Sequence, residues 1–185
     1  MGLVHRGDID SELASADRDV PIFVFMDFRR VRHATASYLK ATWLALALSG
    51  VEHFDGQTVA RVDGAPPRNT YPIVIGLNEE IRHELALVAE SAGLVAIEAR
   101  DESDPIRAVR VHGRLEPVVA QTLRALEKRG EPSTAPELHA KSDGGVAVTA
   151  WNNRLNELCR LRLATRSRDG RQVRYAPIAA EVQLG

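Results

Sequence analysis

The sequence predicts an α/β protein in two parts, a βαβαβ layer followed by three helices and a β-hairpin. Three apolar runs, PIFVFMDF, YPIVIGL and LVAIEAR, alternate with two amphipathic stretches, and this order is typical of a largely parallel sheet with crossover helices. After Gly113 the apolar residues follow helical spacing, until two alternating runs flank Asp169-Gly170, a strong hairpin signal. We therefore predict one domain over residues 1–112 and a second over residues 113–185.

The elements of the first part each carry a local signal. Residues 21–28 are a short apolar run, which indicates a buried strand. The helix after it has apolar residues at helical spacing and Gly50 as its expected stop. Residues 51–70 are rich in Gly, Pro and Asp and are predicted to hold a strand or hairpin beside a loop. Asn78 is the expected cap of the second helix, and residues 106–113 alternate apolar and basic residues, as an edge strand or a connection to the second part would.

The second part is predicted to contain three helices. The first ends at Gly130, the second is expected to have Ser133 as its cap, and the third Thr149. On a helical projection the third helix has one apolar side, made of Trp151, Leu155, Leu158 and Cys159, with Leu161 at its margin. Its opposite side is polar and consists of Thr149, Asn152, Asn153, Asn156 and Arg160.

The asparagines on this polar side point to nucleic-acid recognition. Asparagine is a mediocre helix former, so helix propensity does not explain three of them in one helix. An asparagine amide pairs with the N6/N7 edge of adenine, and an arginine guanidinium with the O6/N7 edge of guanine. A helix with such residues in its first turns fits the major groove of DNA when a preceding helix braces it.

The charge distribution separates the same two parts. Residues 1–105 carry 10 Lys and Arg and 17 Asp and Glu, a net charge of −7, whereas residues 106–185 carry 14 and 8, a net charge of +6. A basic segment of this kind is a candidate for nucleic-acid binding, although charge scatter in an ordinary globular protein would give the same totals. The opposite charges also permit autoinhibition, in which the acidic part covers the basic one.

Residues 114–185 resemble a winged helix-turn-helix domain, similar to those of MarR-like and ArsR-like bacterial regulators. The stretch TLRALEKRGEPSTAPELHAK matches the first two helices, TAWNNRLNELCRLRLATR the recognition helix and exit strand, and SRDGRQVRYAPI the wing. The resemblance implies that Thr149, Asn152, Asn153 and Arg154 face the groove. It also implies that wing arginines approach phosphates or the minor groove, namely Arg166, Arg168, Arg171 and Arg174. Arg162 stands where these families usually have glycine, so either the helix ends differently or Arg162 adopts a strained backbone.

Residues 20–105 are similar to STAS-like domains, the fold of anti-sigma-factor antagonists. The stretch DFRRVRHATASYLKA matches the pattern D-x-x-x-V-x-x-x-D-S-S-G-L at Asp27, Val31 and Leu39. Ala36 stands at the position of the phosphorylated serine and has no hydroxyl to modify. Thr35 and Ser37 are the remaining regulatory candidates, although a Thr or Ser at a helix start is more often a cap.

The sequence lacks the residue patterns of zinc sites, nucleotide-binding loops and multi-cysteine sites. The stretch HELALVAE has no second histidine for a zinc motif, no Walker or G-x-G-x-x-G loop is present, and Cys159 is the single cysteine. We therefore predict no enzyme, no catalytic residue, no cofactor and no metal. Residues 1–19 are polar and acidic without the apolar core of a signal peptide, and the longest apolar run is far below the roughly 20 residues of a membrane span. The predicted location is the cytoplasm, away from membranes.

Two functional hypotheses follow. In the first, the protein is a DNA-binding transcriptional regulator that binds double-stranded DNA as a homodimer, while the STAS-like domain senses or recruits a protein partner. In the second, the winged helix binds protein, and the chain is an adaptor in a signalling or defence complex. The wing arginines discriminate between them, because a DNA reader needs them unpaired on the same side as Asn152 and Asn156. An adaptor tolerates their pairing with acids of the first domain.

Overall fold

The structure is a computed structural model that describes residues 20–48, 53–54, 59–60, 70–102, 105–142 and 145–185. The described strands are β1 (Ile22–Asp27), β2 (His53–Phe54), β3 (Val59–Ala60), β4 (Thr70–Ile75), β5 (Ala96–Ala99), β6 (Ala108–His112), β7 (Ala164–Asp169), β8 (Gln172–Pro177) and β9 (Glu181–Leu184). The helices are α1, which passes from Ala36–Leu39 through a π-helical turn at Lys40–Leu44 to Ala45–Ala47, α2 (Glu79–Ser91), α3 (Pro117–Arg129), α4 (Ala135–Lys141) and α5 (Val148–Arg160).

The largest sheet confirms the α/β class. Its strand order is β1-β4-β5-β6-β9; β1, β4 and β5 are parallel, β6 is antiparallel to β5, and β9 is parallel to β6. The helices α1 and α2 connect the three parallel strands, as the alternating sequence pattern predicted. The predicted hairpin in residues 51–70 is present as β2 and β3, which pair antiparallel. The division into a STAS-like and a winged-helix domain stays a prediction.

Strand β9 was not predicted from the sequence. It lies after the hairpin in the chain, but it pairs with β6 of the first sheet, so β6 is not an edge strand. The backbone N–H of Val182 donates to Glu127 Oε1 at 2.8 Å, and its carbonyl accepts from Arg124 Nη1 at 2.7 Å. These two side chains of α3 satisfy polar backbone groups that an edge strand would otherwise leave open. The last strand therefore joins the two parts of the sequence.

One hydrophobic cluster runs through both parts. The predicted apolar side of α5 is buried at Trp151, Leu155 and Leu158, while Cys159 is half-buried. Burial raises the pKa of the Cys159 thiol to about 12, so the thiol is protonated at neutral pH. Strand β4 is buried along its whole length, as expected for a strand covered on both faces.

The helix starts confirm one predicted cap and correct two. Asn78 caps α2, because its Oδ1 accepts from the backbone N–H of Ile81 at 2.9 Å. Ser133 does not cap α4, since its backbone pairs with Tyr175; Thr134 is the cap and forms a reciprocal capping box with Glu137.

Thr149 does not cap α5 either, because that helix already begins at Val148, after the extended residue Ala147. Thr149 is therefore a residue of the first turn. Two predictions lie outside the described residues, namely the polar segment 1–19 and the helix stop at Gly50.

A buried ionic cluster ties α2 to β5 and β6. Glu98 accepts from His112 Nε2 at 2.7 Å and from Arg82 Nε at 3.3 Å, and the side chains of Glu98 and His112 are only 14% and 9% exposed. Burial by itself would raise the pKa of Glu98, but the hydrogen bonds from His112 and Arg82 lower it to about 2, against 4.5 for an ordinary glutamate.

We expect Glu98→Gln to lower the free energy of unfolding at pH 7 by roughly 2–4 kcal/mol, because it leaves the half-buried guanidinium of Arg82 without its anion and removes the carboxylate that contacts the buried His112. A carboxylate whose pKa falls on folding contributes its full stabilisation above the unfolded pKa. That stabilisation is lost as the pH drops from about 4.5 to about 2. Urea denaturation at pH 7 and pH 3 measures both effects. Equal stability of wild type and variant at pH 7 would contradict the prediction.

Candidate nucleic-acid interface

Helix α5 presents a row of polar side chains. Thr149, Asn152 and Asn153 are exposed along it, and Arg154 beside them is half-buried. The opposite side packs against α3 and α4 through Trp151. Because the opposite side is buried, Thr149, Asn152 and Asn153 share one accessible side in the first two turns of the helix, and Arg154 lies at the margin of that side.

The β7–β8 hairpin is attached to this helix bundle at two places. Ser133, between α3 and α4, pairs with Tyr175 of β8 through backbone hydrogen bonds of 2.8 and 2.9 Å. The hydroxyl of Tyr175 donates to Asn156 Oδ1 at 3.1 Å. Asn156 therefore links the helix to the hairpin, a role that its place on the polar side of α5 does not reveal.

The hairpin brings three of the predicted arginines into solvent. Asp169 pairs with Gln172 across a two-residue turn, in which Gly170 has a φ of +60° that favours glycine. Arg166, Arg168 and Arg171 are exposed. In the described chain Arg168 and Arg171 form no ion pair, so their charges are available to a ligand.

The strand register places two of these arginines on the α5 side of the hairpin. Arg166 pairs with Tyr175 and Arg168 with Val173. Directly paired residues point to the same face of a sheet. Because Tyr175 reaches Asn156 on α5, Arg166 and Arg168 extend from the hairpin face that meets the helix.

Two further residues that were predicted to contact DNA, Arg160 and Arg174, form ion pairs and hydrogen bonds within the protein. Arg160 binds Glu157 at 2.7 Å and donates to the carbonyl of Gly93 at 2.9 Å. The hydrogen bond from Arg160 to Glu157 raises the pKa of Arg160. Arg174 lies 3.2 Å from Asp169 and 3.5 Å from Glu137, and it donates to the carbonyl of Pro132. These arginines hold the turn and the helix bundle in place, and the acids that pair with them belong to the second part of the sequence.

Arg162 fixes the end of α5 against the first part. It has a φ of +63°, and no other non-glycine residue in the described ranges has a positive φ. Helix α5 ends at Arg160, and Arg162 takes the left-handed conformation that often follows a helix end. Of the two alternatives that the sequence left open for Arg162, the structure has the strained backbone.

Contacts of the Arg162 side chain offset the strain of its backbone. It is buried, donates to the carbonyl of Ala47 at 3.1 Å and lies over the ring of Tyr71 with Cζ 5.8 Å from the centroid. The Tyr71 hydroxyl in turn donates to the carbonyl of Ala164 at 3.1 Å. These contacts join α1 and β4 to the end of α5.

The regulatory candidates lie at the start of α1. Thr35 is the cap of this helix, with its Oγ1 accepting from the backbone N–H of Tyr38 at 3.3 Å, and Ser37 is exposed in the first turn. Asp27 at the end of β1 is held by Arg29, whose hydrogen bonds lower the pKa of Asp27 to about 2. Both side chains therefore have a structural role: Thr35 caps α1, and Asp27 is hydrogen-bonded to Arg29.

Comparisons of the chain with protein-family models, curated proteins and solved structures found no match. Within the described ranges, no group of three or more His, Cys, Asp or Glu residues is arranged to hold a metal ion. None of the helices that the structure describes combines the length and apolar character needed to cross a membrane.

Proposed function

We propose that this protein is a cytoplasmic, DNA-binding transcriptional regulator. In this proposal α3, α4, α5 and the β7–β8 hairpin form a winged helix-turn-helix domain, and the preceding layer is a STAS-like domain that senses or recruits a protein partner. The carrying observation is the exposed amide row of α5 next to a hairpin with arginines that form no ion pair among the described residues.

The proposed division of labour follows from the chemistry of the side chains. Asn152, Asn153 and Arg154 have donors and acceptors that match base edges in the major groove. Arg168 and Arg171 would neutralise phosphates, which gives affinity without sequence choice. The backbone pairing of Ser133 with Tyr175 supports this reading, because it holds the hairpin at a fixed distance from the helix.

A homodimer would allow two recognition helices to read a palindromic site. The STAS-like layer would then receive the signal, and the exposed Ser37 is a candidate for modification there. The hydroxyl of Thr35 already serves as the helix cap, so its modification would compete with the start of α1.

One observation favours the adaptor as the second candidate. Arg160 and Arg174 are paired with Glu157, Asp169 and Glu137, so part of the positive charge stabilises the protein itself. A winged helix with a reduced free charge would suit a protein partner better than a duplex. Direct measurement of DNA binding separates the two.

We expect the purified protein to bind labelled duplex from its own upstream region with an affinity that falls as salt is raised. Arg168→Ala combined with Arg171→Ala should weaken binding to all duplexes. Because each phosphate contact contributes about 0.9 to the slope of log affinity against log salt, loss of two contacts should reduce that slope by about 2. Fluorescence anisotropy across a salt series measures both quantities.

A matched control removes two other exposed arginines, Arg30→Ala with Arg32→Ala, from the loop before α1. This variant has the same net charge as the wing variant and should bind DNA like the wild type. Equal losses in both variants would indicate a general charge effect. No binding of the wild type to any duplex would favour the adaptor.

A further inference from the structure

An open cavity of about 460 Å³ lies on the first sheet, where β5, β6 and β9 meet α2. The strand register aligns Glu98 with Arg110 and Arg110 with Gln183, so these side chains form one row across the sheet face. Arg82 reaches Glu98 from α2 and lines the same cavity. The volume is in the range of small-molecule sites.

The position of the cavity in the fold is one that α/β proteins use for ligands. It includes the residues that end and follow β5, which is the last of the three parallel strands. It also lies where the sheet changes from parallel to antiparallel, between β5 and β6. In open α/β sheets ligands bind outside the carboxyl ends of the strands, where the strand order reverses. The order of this sheet does not reverse, so the cavity shares with those sites its place at the carboxyl end of β5 alone.

The lining of the cavity has more arginines than carboxylates. Its lining includes four arginines and three carboxylates. Arg82 is paired with Glu98, which His112 also contacts, and Glu181 Oε1 accepts from Gln183 Nε2 at 3.1 Å. The remaining three arginines, Arg100, Arg107 and Arg110, are exposed and form no ion pair in the part of the chain that the structure describes. These three guanidinium groups therefore lack a protein acceptor among the described residues, while the carboxylates of Asp101 and Glu181 also line the cavity, so that its four arginines and three carboxylates give a net charge of +1.

We propose that this cavity binds a small anion through a phosphate or carboxylate group held by Arg107 and Arg110. Guanidinium groups donate two parallel hydrogen bonds to either kind of anion, which gives both strength and orientation. Arg82 and His112 hold Glu98 in place at the floor of the site, so the cavity is shaped before the anion arrives.

This site is separate from the proposed DNA interface. The cavity lies on the first sheet, whereas the amide row and the arginines of the wing lie on α5 and the β7–β8 hairpin. Gln183 lines the cavity, and its neighbour Val182 is hydrogen-bonded to α3. A bound anion would therefore contact the strand that joins the sheet to the helices. The proposal does not depend on DNA binding.

Isothermal titration of the full chain at constant ionic strength tests the proposal, with inorganic pyrophosphate and citrate as separate probes. We expect saturable binding of one molecule of at least one probe per chain. Arg107→Ala with Arg110→Ala should weaken it roughly tenfold or more, since two charge-assisted donors are lost. The control variant Arg30→Ala with Arg32→Ala has the same net charge, alters neither the cavity nor the wing, and should bind the probe like the wild type. Binding of one probe alone would identify the anion as a phosphate or a carboxylate.

Three results would overturn the proposal: no saturable binding of either probe, undiminished binding by the cavity variant, or an equal loss in the control variant. The thermal unfolding midpoints of both variants should match that of the wild type, because all four arginines are exposed. Arg110→Gln retains the length and polarity of the side chain and should show part of the loss. These titrations contain no DNA, so their failure is distinct from a failure of the proposed function.

Discussion

Asn152→Ala combined with Asn153→Ala should abolish the preference of the protein for its own upstream duplex over a scrambled one. Both side chains are exposed in the first two turns of α5, where a recognition helix meets base edges. Each bidentate base contact discriminates by about 1–3 kcal/mol, so loss of two should reduce the preference by a factor on the order of 100. Binding to scrambled duplex should change little, because the phosphate contacts of the wing are retained. Competition binding with both duplexes at one salt concentration measures the effect.

The control for this experiment is Gln121→Ala, which removes an exposed amide from α3. It should leave both the affinity and the preference unchanged. The asparagine variant should be at least as stable to denaturant as the wild type, because neither side chain is buried and alanine is the better helix former. A retained preference in the asparagine variant would remove these residues from the recognition surface and leave the exposed Thr149 and the half-buried Arg154 as the readers.

Arg162→Ala should destabilise the protein by roughly 2–4 kcal/mol. The change removes the hydrogen bond to the Ala47 carbonyl and the contact with the Tyr71 ring, and it leaves a void in a buried place. Burial lowers the pKa of Arg162, but an arginine guanidinium is not deprotonated in proteins, so the group is charged at neutral pH. Urea denaturation at pH 7 measures the loss.

Arg162→Gly is the matched variant, because it removes the same contacts and relieves the left-handed backbone. We expect it to be about 1 kcal/mol more stable than Arg162→Ala, the usual cost of a β-carbon at positive φ. Equal stability of the two variants would indicate that the backbone has relaxed out of that conformation. A glycine variant as stable as the wild type would show that the side-chain contacts do no more than offset the strain of the left-handed backbone.

The local sequence pattern was enough to predict most elements. Alternating apolar runs predicted the parallel strands β1, β4 and β5, and the dipeptide Asp169-Gly170 predicted the hairpin. The prediction of Asn78 as a cap was correct, because its side-chain oxygen accepts from the backbone N–H of Ile81, three residues later. These features depend on residues close in the chain, so the sequence carries their signal directly.

Tertiary structure decided which polar residues are free. The sequence treated Asn156, Arg160 and Arg174 as equivalent to their neighbours on the polar surface, but each has a partner from another element or turn. Ser133 was expected to cap a helix and instead pairs with a strand more than forty residues later. Periodicity gives the side of a helix on which a residue lies; it does not say what the rest of the chain places there.

The sequence by itself determined the α/β class, the apolar side of α5, the turn of the hairpin and the separation of charge. Only the tertiary structure decided that β9 returns to the first sheet and that Arg162 anchors the end of α5 to α1 and β4. The short run Glu181–Leu184 has little strand signal of its own, and it is ordered by β6 on one side and by Arg124 and Glu127 on the other. Such pairings are long-range, and their free energy comes from contacts that exist only when the whole chain is folded.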